Sequence, residues 1–190
     1  MIKAEKSDKQ VVMEILAASF SNNRSVNYVI PQNEKKMERI RKLMAYSFDV
    51  CFAFGDVYLS DCRRACALVL YPDRKRMTWQ SIWWDLKLVA TVFGLSRTAK
   101  VLSREQLIKK HHPSGNMFYL WFIGVNVSFQ RTGIGKQLLL ELLQQSKLMQ
   151  RPVYLETSAP ENVPWYQRSG FEVYAEEELS YRLFFLRKLL

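Results

Sequence analysis

Residues 130–136 read QRTGIGK and stand between an aromatic, β-branched run and a leucine-rich helical run. Nothing in helix building asks for Gly133 and Gly135 there, since glycine costs roughly 0.5–1 kcal/mol against alanine inside a helix. A Walker loop would need GxxxxGK followed by Ser or Thr, and a dinucleotide fingerprint would need a third glycine where Leu138 stands. The remaining chemistry is a short anion cradle. The first N–H groups of a helix lack intrahelical partners and lie at the positive end of its dipole. Small residues let a phosphate reach them, and Arg131 and Lys136 add charge beside them. The structural alternative is a tight turn with close helix packing.

Downstream, residues 155–171 read LETSAPENVPWYQRSGF and hold Glu156, Asn162 and Tyr166. Tyr166 followed by Gly170-Phe171 fits a helix that packs down and then stops, and Asn162 is a natural N-cap. His111 and His112 titrate near neutrality but are expected on the surface, beside a tryptophan-rich stretch. Cys51, Cys62 and Cys66 are too few for a disulfide framework, and CRRAC lacks zinc-ligand spacing. All three are expected to be buried small apolar thiols, with no metal site.

The elements that must position these residues follow from periodicity. Residues 2–5 read as a short strand, 7–19 as a helix, 21–32 as a polar loop and 33–49 as a helix. Residues 57–59 and 65–71 form a strand pair. Within 77–112, Trp79, Ile82, Trp83, Leu86, Val89, Ala90 and Phe93 make a helical stripe that Gly94 ends, and a second helix covers 96–110. The best strand is 116–127, followed by the glycine loop and its helix, a strand at 152–157, a short helix at 160–169, and a terminal hairpin of 171–174 with 180–187. Strands alternating with helices in the second half indicate an α/β layered domain.

The 190 residues suit one domain. At 48% hydrophobic and 24% charged, the composition is that of a folded chain. The net charge of +10 favours an anionic ligand or a solvated basic surface. No run approaches the ~20 apolar residues of a membrane span, and no apolar leader opens the chain. A cytoplasmic protein with no membrane partner is expected.

Taken together, these motifs resemble the GCN5-related N-acetyltransferase (GNAT) superfamily. Val125 followed by Gln130-Arg131-Thr132-Gly133-Ile134-Gly135 is similar to its Gln/Arg-x-x-Gly-x-Gly/Ala signature. Asn162-Val163-Pro164-Trp165-Tyr166 with Gly170-Phe171 is similar to its Asn-x-x-Φ-Tyr…Gly-Phe element. The resemblance is specific over 116–174, and the order of elements agrees before that. Residues 77–112 depart from the pattern as a long insert between the third and fourth strands.

The resemblance implies the GNAT fold, a mixed, mostly antiparallel sheet flanked by helices, here with a helical insertion in a single domain over 1–190. It implies acetyl-coenzyme A as co-substrate, no metal, and an acetyl transfer by direct attack of an amine on a small molecule or peptide. Gln130, Arg131, Thr132, Gly133, Ile134, Gly135 and Lys136 would hold the pyrophosphate. Val125 and Val127 would pair their backbone with the pantetheine arm, and an N–H at or beside Val125 would face the carbonyl oxygen. Gly124 would carry the bulge at which the family splays this strand from the next. Tyr166 would protonate the departing thiolate. Asn162 would hold the coenzyme or cap its helix. Glu156 is the first candidate for the base, with a water chain as the alternative. The insert would line the acceptor cleft, bind a partner or pack on the sheet, and Trp84, off the main stripe, would touch the acceptor. A non-catalytic coenzyme-A-binding module is the rival reading. A nucleic-acid binder, supported by charge alone, is a third. A homodimer is left open.

Overall fold

One seven-stranded sheet organises the computed structural model, which describes residues 1–94 and 97–190. In chain order the elements are β1 (Ile2–Lys3), α1 (Lys9–Ser19), α2 (Arg24–Val29), α3 (Lys36–Phe54), β2 (Gly55–Leu59), β3 (Ala65–Leu70), α4 (Trp79–Leu88), α5 (Leu95–His111), β4 (Phe118–Val125), α6 (Ile134–Leu148), β5 (Val153–Thr157), α7 (Val163–Gln167), β6 (Glu172–Glu178) and β7 (Arg182–Lys188). The strands lie in the order β1-β2-β3-β4-β5-β7-β6. All neighbours are antiparallel except β4 and β5, which are parallel.

Both faces of the sheet are covered. β3 reads ACALVL, with every residue buried, as expected of a strand with helices on either side. On one face Leu16 of α1 and Ile40, Met44 and Phe48 of α3 pack against Leu68 and Phe122. On the other, Leu138, Leu139 and Leu142 of α6 pack against Phe118, Leu120 and Leu155. α6 therefore lies across the strands that carry the site, with its N-terminus next to the end of β4.

Two local expectations are corrected and one open reading is narrowed. The loop expected over 21–32 contains α2, whose start is capped by the Asn23 side chain accepting the Val26 N–H at 3.0 Å. Six residues are too short a stretch for periodicity to register. Cys62 is exposed in the β2–β3 turn, while Cys51 and Cys66 are buried, and all three thiols are free. The stripe on α4, for which packing on the sheet was one of three open readings, faces outward over its first part: Trp79 is 89% exposed, Trp83 64% and Leu86 60%. The packed face is Trp84, Leu88 and Val92, joined by Phe93 from the π-helical turn Val89–Phe93. Both faces of this segment are apolar, so periodicity alone could not choose between them.

Candidate active site between the fourth and fifth strands

β4 and β5 pair at Phe118 with Val153 and at Tyr119 with Tyr154, and no further. Beyond Tyr119 the two parallel strands part. At the same place the pairing of β4 with β3 slips by one residue: Leu68 faces Phe122 whereas Val69 faces Leu120. Trp121 is therefore the extra residue of a β-bulge, which bends and twists a strand locally. This corrects the assignment of the bulge to Gly124. A Cβ on Gly124 would lie 2.9 Å from Leu16 Cδ2, so this glycine admits α1 against the sheet.

The bulge resets which backbone groups face which neighbour. The Asn126 N–H donates to the Arg64 carbonyl on the β3 side at 2.8 Å. Strand alternation then turns Gly124 and Phe122 toward β3, and Val125 and Ile123 toward the gap left by β5. Ile123 was missed in the sequence, although counting back by two from Val125 would have found it. The Val125 carbonyl accepts from Ser19 Oγ at 2.8 Å, which leaves the Val125 N–H and both Ile123 groups facing the gap. Val127 adds no rung. It opens a 3-10 turn (Val127–Phe129) capped by Asn126, which corrects its assignment to the strand.

The glycine loop begins just past this strand end, and Gln130 Nε2 reaches back to the Val125 carbonyl at 3.4 Å. Arg131 (φ 63°) and Gly133 (φ 89°) are both left-handed, a region that L side chains rarely adopt. The Thr132 hydroxyl donates to the Phe129 carbonyl at 2.7 Å and braces the turn. The first helical bond of α6 runs from the Gln137 N–H to the Gly133 carbonyl at 3.0 Å. The N–H groups of Ile134, Gly135 and Lys136 therefore have no intrahelical acceptor. Gly135 serves packing, because its Cβ would stand 3.0 Å from Val125 Cγ2. The tight turn and the anion cradle are thus two descriptions of the same atoms: the turn is what leaves the amides bare.

Glu156 lies on β5, opposite the widening gap, with its side chain 8% exposed. Its Oε1 is 2.9 Å from His112 Nε2, and its Oε2 accepts from the Tyr119 hydroxyl at 2.6 Å. Burial, and then the adjoining Glu156 carboxylate, push the Tyr119 phenol well up, so it stays a neutral donor. The His112 and Tyr119 rings meet edge to face at 4.8 Å. The expectation of two surface histidines is corrected. His112 caps the end of α5 and points to β5, whereas His111 reaches Glu177 of β6 at 2.7 Å.

Tyr166 is buried on α7 between Trp165 and Phe171, at ring distances of 4.7 and 5.5 Å. Burial pushes its phenol up. Asn162 precedes α7 and makes no side-chain capping bond, so capping does not account for it.

These residues share one cleft of about 860 Å³. Its lining includes Glu156, His112, Asn162 and Tyr166, the apolar Phe20, Leu88, Phe93, Leu102 and Phe122, and the charged Lys75, Arg76, Asp85, Arg104, Glu105 and Lys109. The segment between β3 and β4 contributes through Ile82, Asp85 and Leu102. Trp84 packs into the core instead, which corrects its expected contact with an acceptor.

The model of the Acetyltransferase (GNAT) family matches residues 45–171. The chain belongs to this family. Acyl-coenzyme-A-dependent N-acetyl transfer is the activity general to its members. Among solved structures, one from Corynebacterium glutamicum, described as histone acetyltransferase HPA2 and related acetyltransferase, is 19% identical, with a TM-score of 0.74 over 99% of this chain and 94% of that one. Arylalkylamine N-acetyltransferase 2 of Aedes aegypti is 14% identical, with a TM-score of 0.65 over 99% and 97%. The PaiA N-acetyltransferase of Thermoplasma acidophilum, in complex with coenzyme A, is also 14% identical, with a TM-score of 0.58 over 100% and 97%. At such identities the likeness is one of fold. In this GNAT chain, as the resemblance implied, the sheet is mixed and mostly antiparallel.

Proposed function

We propose that this GNAT protein transfers an acetyl group from acetyl-coenzyme A to an amine with an apolar body, held in the cleft beside β4. One observation carries this reading. The unpaired backbone of Ile123 and Val125 faces the gap, and it leads directly to the bare N–H groups of α6. An extended arm ending in phosphates fits such a track, adding itself to an open strand edge and closing on a helix N-terminus. Gln130, Arg131, Thr132, Gly133, Ile134, Gly135 and Lys136 would take the pyrophosphate, and Asn162 the arm. The bound thioester supplies the acetyl group.

The chain's own part is positioning and proton traffic. An alkyl amine, with a pKa near ~10.4, arrives protonated at neutral pH and must lose a proton to attack. His112 and Glu156 form the accepting pair: the imidazole takes the proton, and the carboxylate 2.9 Å away stabilises the imidazolium. Tyr119 fixes the other carboxylate oxygen. An N–H from the open edge at Ile123 or Val125 stabilises the oxyanion as it forms. Tyr166, kept neutral by burial, gives its proton to the leaving thiolate. The apolar part of the lining, from Phe20 to Phe122, favours an acceptor with an apolar body.

The test is a panel of amines, including alkylamines and arylalkylamines of graded length, polyamines and lysine peptides, with thiol release as the readout. Release that improves with apolar length supports the proposal. Coenzyme A binding without thiol release for any amine would replace it with the non-catalytic module.

A further inference from the structure

α4 presents an apolar face that nothing in the fold covers. Trp79, Ile82, Trp83 and Leu86 are related by three- and four-residue steps and so form one continuous strip on the helix. Met77, 90% exposed, adjoins its start. Two of these residues, Met77 and Ile82, also line the mouth of the cleft, as does the exposed Leu102 of α5. The apolar surface thus runs unbroken from inside the cleft, over its rim and out along the helix. Soluble proteins seldom leave such a surface to water without a use for it.

Cations outnumber acids around the strip. Arg74, Lys75 and Arg76 immediately precede it and are exposed, and exposed Lys87 lies between Leu86 and Leu88. Of the two nearby acids, Asp73 is ion-paired with Arg151 at 2.6 Å and Asp85 accepts from the Tyr46 hydroxyl at 2.6 Å, so four cations stand against one unpaired carboxylate. A second copy of this chain would bring a like set of cations against this one across a two-fold axis, which repels. An anionic lipid surface meets both halves of the pattern. Tryptophans favour the headgroup boundary, and lysines and arginines beside them answer the anionic headgroups.

We propose that the outer face of α4 docks this protein onto anionic membranes, with Trp79, Trp83 and Leu86 in the headgroup boundary and Arg74, Lys75, Arg76 and Lys87 on the lipid phosphates. This revises the expectation of no membrane partner, which rested on the length needed to span. No helix among the described residues can span, and docking needs none. Docking turns the mouth of the cleft toward the bilayer, so an acceptor amine dissolved in the membrane enters along Met77, Ile82 and Leu102. That last step rests on the acceptor cleft proposed above; docking itself does not, and is measured without an acetyl donor.

The full chain is co-sedimented with vesicles of phosphatidylcholine mixed with phosphatidylglycerol, and with phosphatidylcholine alone. Binding to the mixed vesicles, weakened by added salt and accompanied by a blue shift of tryptophan emission, is expected. Trp79→Ser/Trp83→Ser should lower the partition coefficient about tenfold or more and abolish the shift. Arg74→Glu/Lys87→Glu should lower binding while leaving coenzyme A affinity and turnover of a water-soluble amine unchanged. Three results would each overturn the proposal: no binding to the mixed vesicles, equal binding to neutral ones, or a wild-type dimer by sedimentation that Trp79→Ser/Trp83→Ser dissociates. The last would assign the face to a second copy. Coenzyme A affinity, measured on the same samples, keeps failure of docking separate from failure of the catalytic reading.

Discussion

His112 Nε2 stands 2.9 Å from Glu156 Oε1, joining the end of α5 to the free end of β5 across the cleft. If this pair accepts the amine proton, His112→Ala should lower kcat by about 10²–10⁴-fold, with coenzyme A affinity unchanged. Glu156→Gln keeps the shape and removes the charge that stabilises the imidazolium, so it should also lower kcat. Equal kcat values in wild type and His112→Ala would assign the proton to solvent.

Gly133 caps α6 at φ 89°, where no side chain sits easily, although a Cβ there would meet nothing within 4 Å. The two facts separate stability from binding. Gly133→Ala should cost about 1–2 kcal/mol of stability and change coenzyme A affinity little. Gly133→Glu, which puts a like charge into the phosphate site, should abolish binding in a chain that still folds. Calorimetry together with thermal denaturation distinguishes them, and unchanged affinity in Gly133→Glu would remove the cradle from the proposal.

The glycine loop could be read in the sequence because everything it needs is local: a strand, a left-handed turn and a helix start lie within a few residues. The order of the elements was readable for the same reason. The bulge was not, because its position depends on register with β3, and Trp121 differs from its neighbours only once Leu68 and Val69 are seen to face Phe122 and Leu120. Nor was the His112–Glu156 contact, which joins residues 44 apart in the chain with no spacing rule between them. Tyr166 and Asn162, named from the sequence, line the same cleft, but the absence of a cap at Asn162 is a matter of side-chain direction that composition does not encode.

The segment between β3 and β4 gives opposite expectations for two of its residues. Trp84 packs against the core, so Trp84→Ala should lower Tm, by up to about 3 kcal/mol of stability, and leave the acceptor KM unchanged. Leu102 is exposed at the mouth of the cleft, so Leu102→Asp should keep Tm and raise KM for apolar amines while sparing polar ones. A common KM for all amines in Leu102→Asp would show that the acceptor enters elsewhere.

Tyr166 joins catalysis to alkaline stability. Burial pushes its phenol above the ordinary tyrosine value, so it stays protonated wherever the enzyme can be assayed. Tyr166→Phe should therefore lower kcat, by about 10²–10⁴-fold if proton donation limits the reaction and less if the thiolate leaves unaided. It should do so by the same factor at every pH, since no alkaline limb belongs to this hydroxyl. The same shift has a sign for folding. A phenol whose folded pKa lies above its unfolded value of about 10 gives its full contribution below that pH, and loses it as the pH climbs from there toward the folded value. Tyr71 adds to this, because burial and the Asp56 carboxylate 2.7 Å away push its phenol up as well. Denaturant midpoints should accordingly stay level through the neutral range and fall once the pH passes about 10. In Tyr166→Phe the fall should be shallower by one proton's worth of slope. A tyrosinate difference between wild type and Tyr166→Phe that rose well before the midpoint fell would mean that Tyr166 ionises in the folded chain, and it would then lack the protonated state that thiolate departure requires.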